Sequence, residues 1–282
     1  MVGIVDVGGG MRGIYGAGVF DCCMERHIRF DYCIGVSAGS ANIASYLAGQ
    51  PGRNYHFYME YSFRRRYMSL HNLLYTGSYI DLDYVYSGLS NHDGENPLDY
   101  DAFRASPAVM KVVALNALTG AVQYFDKRDM GPDSYHILKA SSSLPLVCRP
   151  YEIGGVPYFD GGLADPVPVR KAFDDGCDRV VVVLTRPADF QRSPERDARL
   201  ARRLEKSYPQ AARRLLARAD LYNQEVALAQ EYARQGRVLL IAPDNICGMK
   251  TLTRSRRRMD AMYRKGRGDA AAIPAFLTDA QS

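Results

Sequence analysis

The stretch "CIGVSAGS" at residues 33–40 sets Ser37 between Gly35 and Gly39, with Ala38 directly after it. A serine hydroxyl is a weak nucleophile until the fold exposes it, a neighbouring base takes its proton, and fixed N–H groups await the negative charge that develops on the attacked carbonyl. The pattern G-x-S-x-G meets the first condition when a strand enters it and a helix leaves it, because the turn then holds the serine in a strained, exposed conformation. Both flanks are present: "FDYCIGV" reads as a short strand and "SANIASYLAG" as a helix ended by Gly49 and Pro51. Gly35 and Gly39 let strand and helix approach closely, and the Ala38 N–H points to the same side as the hydroxyl. The plain alternative is a structural small-residue turn, since Gly and Ser punctuate loops of every class.

A base must come from elsewhere in the chain. The hydrolase order serine, acid, histidine requires a late histidine, yet His27, His56, His71, His92 and His136 all precede residue 140. His136, on a predicted helix beside Tyr135 and Ile137, is the one left, and a packed or surface histidine is the more common outcome there. Asp160 in "YFDGG" is the better candidate. It closes an apolar run, and Gly161 and Gly162 allow a close turn after it. A carboxylate with an ordinary pKa near 3.9 is a weak base, which burial can strengthen. Alone, the motif also reads as a common Asp-Gly turn.

An earlier glycine turn, "GGGMRG" at 8–13, follows the strand "MVGIVDV" and opens a helix running to about His27. It fits G-x-G-x-x-G, and Asp31 falls near the spacing of a ribose-binding acid, so a nucleotide-binding module is one reading. The same exposed amides suit the oxyanion of an acyl-transfer intermediate. The glycines do not separate the two readings; the second turn at Ser37 favours the latter, because a dinucleotide unit gives no reason for it.

Taken in order, "GGGMRG", "GVSAG", "ASSSLP" and "DGG" resemble the blocks of the patatin-like phospholipases, over roughly the first two thirds of the chain. The resemblance implies a three-layer α/β/α sandwich on a mostly parallel sheet. It implies Ser37 as nucleophile, Asp160 as its base, and Gly8, Gly9, Gly10 and Ala38 as oxyanion residues. Arg12, Gly13, Gly35, Gly39, Gly161 and Gly162 stand in support, with Arg12 shaping the turn or adding positive charge. One departure stands out: many relatives carry an acid immediately before the three glycines, where this chain has Val7, with Asp6 one residue earlier. The implied activity is hydrolysis of acyl-lipid esters through an acyl-enzyme, without metal or cofactor; a catalytically inactive lipid-binding regulator is the remaining alternative.

The elements that must position these residues are strands alternating with helices, the signature of a parallel sheet covered on both faces. "VMKVVALNALTGAVQYFDKRD" reads as a hairpin-like pair about Thr119-Gly120, a helix is expected at about 167–175, "RVVVVLT" as a strand buried on both faces, and "RVLLIAP" as a last strand. Residues 53–100, crowded with Tyr, Phe, Arg and His, read as helices and loops inserted over the sheet edge. The expected division is a catalytic part over 1–190 carrying that insertion, and an Arg-rich helical part over 191–282 packed on the same domain, with a loose end. The Arg-rich helices and the basic tail read as solvated faces.

Bulk composition narrows the classes. Of 282 residues, 36 are Lys or Arg and 31 Asp or Glu, a net charge of +5 too modest to point to nucleic acid. The six cysteines lack C-x-x-C spacing and His partners at metal-ligand intervals, which argues against zinc and for reduced, buried thiols in a cytoplasmic protein. No apolar run approaches the roughly 20 residues of a membrane span. The aromatic stretch 55–86 with Arg64, Arg65 and Arg66 suits transient contact with an anionic membrane surface.

Overall fold

The computed structural model describes residues 1–278. Strands β1 (Val2–Asp6) and β2 (Tyr32–Val36) are nearly continuous apolar runs, and each leads through a tight turn into a helix, α1 (Ile14–Glu25) and α2 (Ala38–Leu47). Side chains alternate across a strand, so such runs are buried only if helices cover both sheet faces. Both faces are covered. Ile4, Cys33, Val181 and Val183 join one core with residues of α1 and α2, whereas Val5, Ile34, Val180 and Val182 face a second core with residues of α7 (Val169–Asp174) and α9 (Pro209–Arg234).

Among the described residues one sheet forms, of eight strands. β1 lies between β2 and β7 (Arg179–Val183), both parallel to it, and β8 (Val238–Ile241) adds in parallel to β7. β3 (Val109–Asn116) pairs in parallel with β2 and forms the expected hairpin with β4 (Val122–Asp126), Gly120 supplying the left-handed turn residue at φ +72°. β6 (Val156–Asp160) runs antiparallel to β3 and pairs with the short β5 (Tyr151–Ile153). The architecture is a mostly parallel sheet with helices on both sides.

Residues 53–100 are helices and loops as their composition suggested: α3 (Arg53–Met59), α4 (Leu70–Thr76) and a π-helical turn at Tyr84–Leu89. α5 (Tyr100–Ala105) follows, and α6 (His136–Ser142) lies between the hairpin and β5. The position of α3 differs from expectation. It packs on α1, α2 and the later α10 (Arg256–Asp269), so this segment thickens a helical layer rather than capping a sheet edge.

Downstream, α8 (Glu195–Leu204) packs on α9, α10 packs along α1, and α11 (Ile273–Thr278) carries the described chain to its end; the last part of the expected loose tail, 279–282, lies outside the described residues. The arginines of these elements are not simply a solvated face. Arg214 donates to the Gly120 carbonyl at 2.7 Å, Arg254 to the Ser62 carbonyl at 3.1 Å, and Arg267 forms a forked pair with Glu25. Guanidinium forks reach backbone carbonyls that the irregular connections leave unpaired.

Candidate active site

β2 ends at Val36 and α2 begins at Ala38, so Ser37 alone makes the turn, at φ +57° and ψ −127°. A non-glycine residue there is strained, and the strain persists only because the surroundings fix it. A Cβ added at Gly39 would stand 2.2 Å from the Asp6 carbonyl oxygen, and one at Gly35 2.5 Å from the Ser40 Cα. The elbow therefore needs bare backbone on both sides of the serine. The Ser37 N–H donates to the Ser141 hydroxyl at 2.8 Å, and Ser141 also meets the Ser40 hydroxyl at 3.2 Å. Through that pair, the "ASSSLP" segment at the end of α6 braces the turn.

The strand register explains why Asp160 stands beside Ser37. On β3, Val113 pairs with Val36 of β2 and with Tyr124 of β4, and the next residue, Ala114, pairs with Asp160 of β6 and with Gln123 of β4. A strand has two hydrogen-bonding sides, and β4 occupies one of them. β2 and β6 thus share the other side and meet C-terminus to C-terminus, bringing Asp160 against the residue that follows Val36. Gly161 fits there because an added Cβ would lie 2.2 Å from the Val113 carbonyl oxygen.

Ser37 is 7% exposed and Asp160 2%. One carboxylate oxygen, Oδ1, accepts the Gly162 N–H at 2.8 Å; Oδ2 is buried without a hydrogen-bond partner among the described residues. Burial raises the Asp160 carboxyl above the usual carboxylate range, against the opposing pull of the Ser37 hydroxyl, the Arg218 charge and the Gly162 N–H. His136 is elsewhere: its Nε2 pairs with Ser134, and its ring stacks at 6.5 Å on Tyr151.

All three glycines of the first loop have positive φ: Gly8 at 62°, Gly9 at 120° and Gly10 at 62°. The Gly8 N–H is committed to Asp6 Oδ1 at 2.9 Å, and the Met11 N–H to the Thr251 carbonyl at 2.8 Å. Among the described residues the N–H groups of Gly9 and Gly10 have no acceptor, and that of Ala38, as the first residue of α2, has none within its helix. Of the four expected oxyanion residues, Gly9, Gly10 and Ala38 keep free donors; Gly8 is withdrawn by its bond to Asp6.

Asp6 is the anchor of this loop. Its second oxygen accepts Asn42 Nδ2 at 2.8 Å, and Asn42 also donates to the Gly13 carbonyl at 2.9 Å. Burial lifts the Asp6 carboxyl to about 6. The acid one residue early, next to Val7, still holds the glycine turn. Thr185 donates to the Gly8 carbonyl at 2.5 Å from the end of β7. Arg12 folds beneath the loop, with Nη1 donating to Thr251 Oγ1 at 3.3 Å. Asp31, by contrast, accepts the Val2 N–H at 2.8 Å at the start of β2. Five residues at roughly 3.3 Å each separate it from the glycine loop, so it cannot hold the ribose of a nucleotide bound there.

Asn42, Ser141, Thr185, Arg218 and Thr251 complete the site without having been singled out in the sequence as site residues. Ser141 lay in the "ASSSLP" motif, and Asn42 and Thr185 in stretches read only as helix and strand. Asp6 was noted as a departure, and Arg218 was one of many arginines in a basic stretch.

Two cavities open from Ser37. One is walled by Phe57, Tyr58, Tyr67, Ile80, Val85 and Leu89; the other holds Gly9, Gly10, Asp160 and a group of arginines.

A strained serine between strand and helix, on a mostly parallel sheet layered with helices, has the geometry on which α/β proteins build a nucleophile elbow. The chain belongs to the patatin-like phospholipase family, a family of lipid acyl hydrolases, whose model matches residues 7–173. A second model, described only as a domain of unknown function (DUF6363), matches residues 208–275. Among curated proteins, the chain is 29% identical over 206 residues to the uncharacterized protein YjjU of Escherichia coli, covering 71% of this chain and 56% of that one. It thus spans little more than half of that relative's length. Among solved structures, VipD from Legionella pneumophila matches over 96% of this chain and 66% of its own, with 13% identity and a TM-score of 0.49.

Proposed function

We propose that the protein is a serine lipid acyl hydrolase using a Ser37–Asp160 dyad. The observation that carries this reading is the β3 register, which sets the buried carboxylate of Asp160 beside the strained Ser37. Ser37 Oγ attacks the ester carbonyl carbon as its proton passes to Asp160, and the oxyanion lies toward the free N–H groups of Gly9, Gly10 and Ala38. The carbonyl–oxygen bond to the alcohol breaks, and Asp160 returns the proton to that oxygen. A water then attacks the acyl-enzyme, gives its proton through Asp160 to Ser37, and releases the fatty acid.

The aromatic and aliphatic cavity beside Ser37 is the acyl-chain site in this reading. α4 supports a lipid surface as the source of substrate. Leu70 is 71% exposed, Leu74 82% and Tyr75 78%, a cluster of apolar side chains in water close in sequence to Arg65 and Arg66. No described helix is long and apolar enough to cross a membrane.

The test is fluorophosphonate labelling together with turnover of a nitrophenyl acyl ester. The wild-type protein is expected to label and turn over, and Ser37→Ala to lose both while keeping its melting temperature within a few degrees. Labelling that survives in Ser37→Ala excludes the dyad.

A further inference from the structure

The second cavity next to Ser37 is walled by Arg12, Arg186, Arg192, Arg196 and Arg218. Among the described residues its acids are Asp160 and Asp197. Asp197 is already taken by Arg192 through two bonds, at 2.9 and 3.0 Å. Arg218 Nε donates to the Gly162 carbonyl at 2.7 Å, the Arg186 guanidinium stacks 4.1 Å over the Phe190 ring, and neither has a carboxylate partner among the described residues. Arg12 is 6% exposed, and its Nε has no acceptor.

Five cations gathered in a cleft with two carboxylates disfavour folding, because burial strips their water and the excess of positive charge repels itself. Both effects register here: burial and then Arg186 lower the Arg12 pKa to about 9, and burial and then Arg192 lower that of Arg218 to about 10. An arrangement that weakens the empty protein points to a ligand bringing the missing negative charge.

We infer that this cavity is the headgroup subsite of the acyl-lipid site and takes a phosphate monoester, seated among Arg12, Arg186, Arg196 and Arg218 while the acyl chain lies in the aromatic cavity. This rests on the hydrolase reading above. Guanidinium forks match phosphate oxygens two at a time. A phosphate monoester carries a charge of about −1.5 to −2 near pH 7, which suits several unpaired arginines better than a single carboxylate. A choline or ethanolamine phosphodiester would place its ammonium among them and be repelled.

The experiment compares a monoacylglycerol, its 3-phosphate and the matching lysophosphatidylcholine, in wild type and in the Arg186→Gln/Arg196→Gln double variant. Arg196 is exposed and its loss leaves the core intact. Wild type is expected to favour the 3-phosphate over both others in kcat/KM, and the double variant to lose at least tenfold of that preference, chiefly in KM. Equal turnover of the three lipids, or a preference indifferent to the arginines, overturns the inference. Ser37→Ala protein, melted with inorganic phosphate or glycerol 3-phosphate against chloride of equal ionic strength, supplies a readout independent of turnover. Stabilisation by glycerol 3-phosphate that requires Arg186, in a protein whose wild type cleaves no ester, would sink the hydrolase reading and leave an anion site. Stabilisation by inorganic phosphate alone would mark a free-phosphate site and reject the lipid headgroup.

Discussion

Asp160 carries two opposed demands. As a base it must be ionised, yet its burial favours the neutral acid. A carboxyl whose folded-state pKa is raised stabilises the fold below its unfolded value near 3.9 and loses that contribution as pH rises through the raised value. Activity runs the other way. The acid limb of kcat/KM for a nitrophenyl ester is expected to have its midpoint above the ordinary carboxylate range, and Asp160→Asn to lose about 10²- to 10⁴-fold in rate and the limb with it. The melting temperature of wild type relative to Asp160→Asn is expected to fall as pH rises through the same range. A limb centred at or below the ordinary carboxylate range, or a limb retained in the variant, would assign the titration to another group.

At the scale of elements, the site is a meeting of three turns held by backbone proximity. The glycine loop lies on the elbow so closely that a Cβ at Gly8 would stand 2.2 Å from the Val36 carbonyl oxygen, and one at Gly13 2.5 Å from the Tyr58 hydroxyl. Gly39 has an ordinary helical backbone, so its requirement is contact with Asp6 and nothing else. Gly39→Ala is expected to cost roughly 1–3 kcal/mol or more by overpacking and to displace the loop that offers Gly9 and Gly10. Thermal melting and the rate of fluorophosphonate labelling read these separately. A variant with unchanged melting and labelling would show that the loop can shift without loss.

At the scale of the whole molecule, the segment after residue 208 completes what the first part of the chain begins. β8 pairs with β7, α9 brings Arg218 to Gly162, and Thr251 receives both the Met11 N–H and the Arg12 guanidinium. α10 lies along α1, where a Cβ at Gly18 would meet the Tyr263 carbonyl at 2.2 Å. Removing residues 208–282 would expose one side of β7, the second core and one wall of the site. That truncated chain is expected to melt without a cooperative transition, as followed by circular dichroism, and to take no fluorophosphonate; a sharp melt with labelling would show that the first 207 residues suffice.

Local pattern determined much of this molecule. Strand-turn-helix units at β1–α1 and β2–α2, the hairpin at Gly120 and the doubly buried run of β7 were legible because apolar periodicity and glycine turns act over a few residues. Ser37, the glycine loop and Asp160 were each ambiguous alone, and became candidates through the order of four short motifs and the family that this order resembles. Tertiary structure decided the rest. Only the shared side of β3 brings β2 and β6 end to end, and only the bond from Gly8 to Asp6 selects which glycine amides stay free. In sequence Arg12 belongs to the glycine motif, Arg186 follows a strand, and Arg192, Arg196 and Arg218 are indistinguishable from the other arginines of a basic stretch. Folding gathers them into one cleft, because burial and charge partners are set by contacts between residues far apart in the chain.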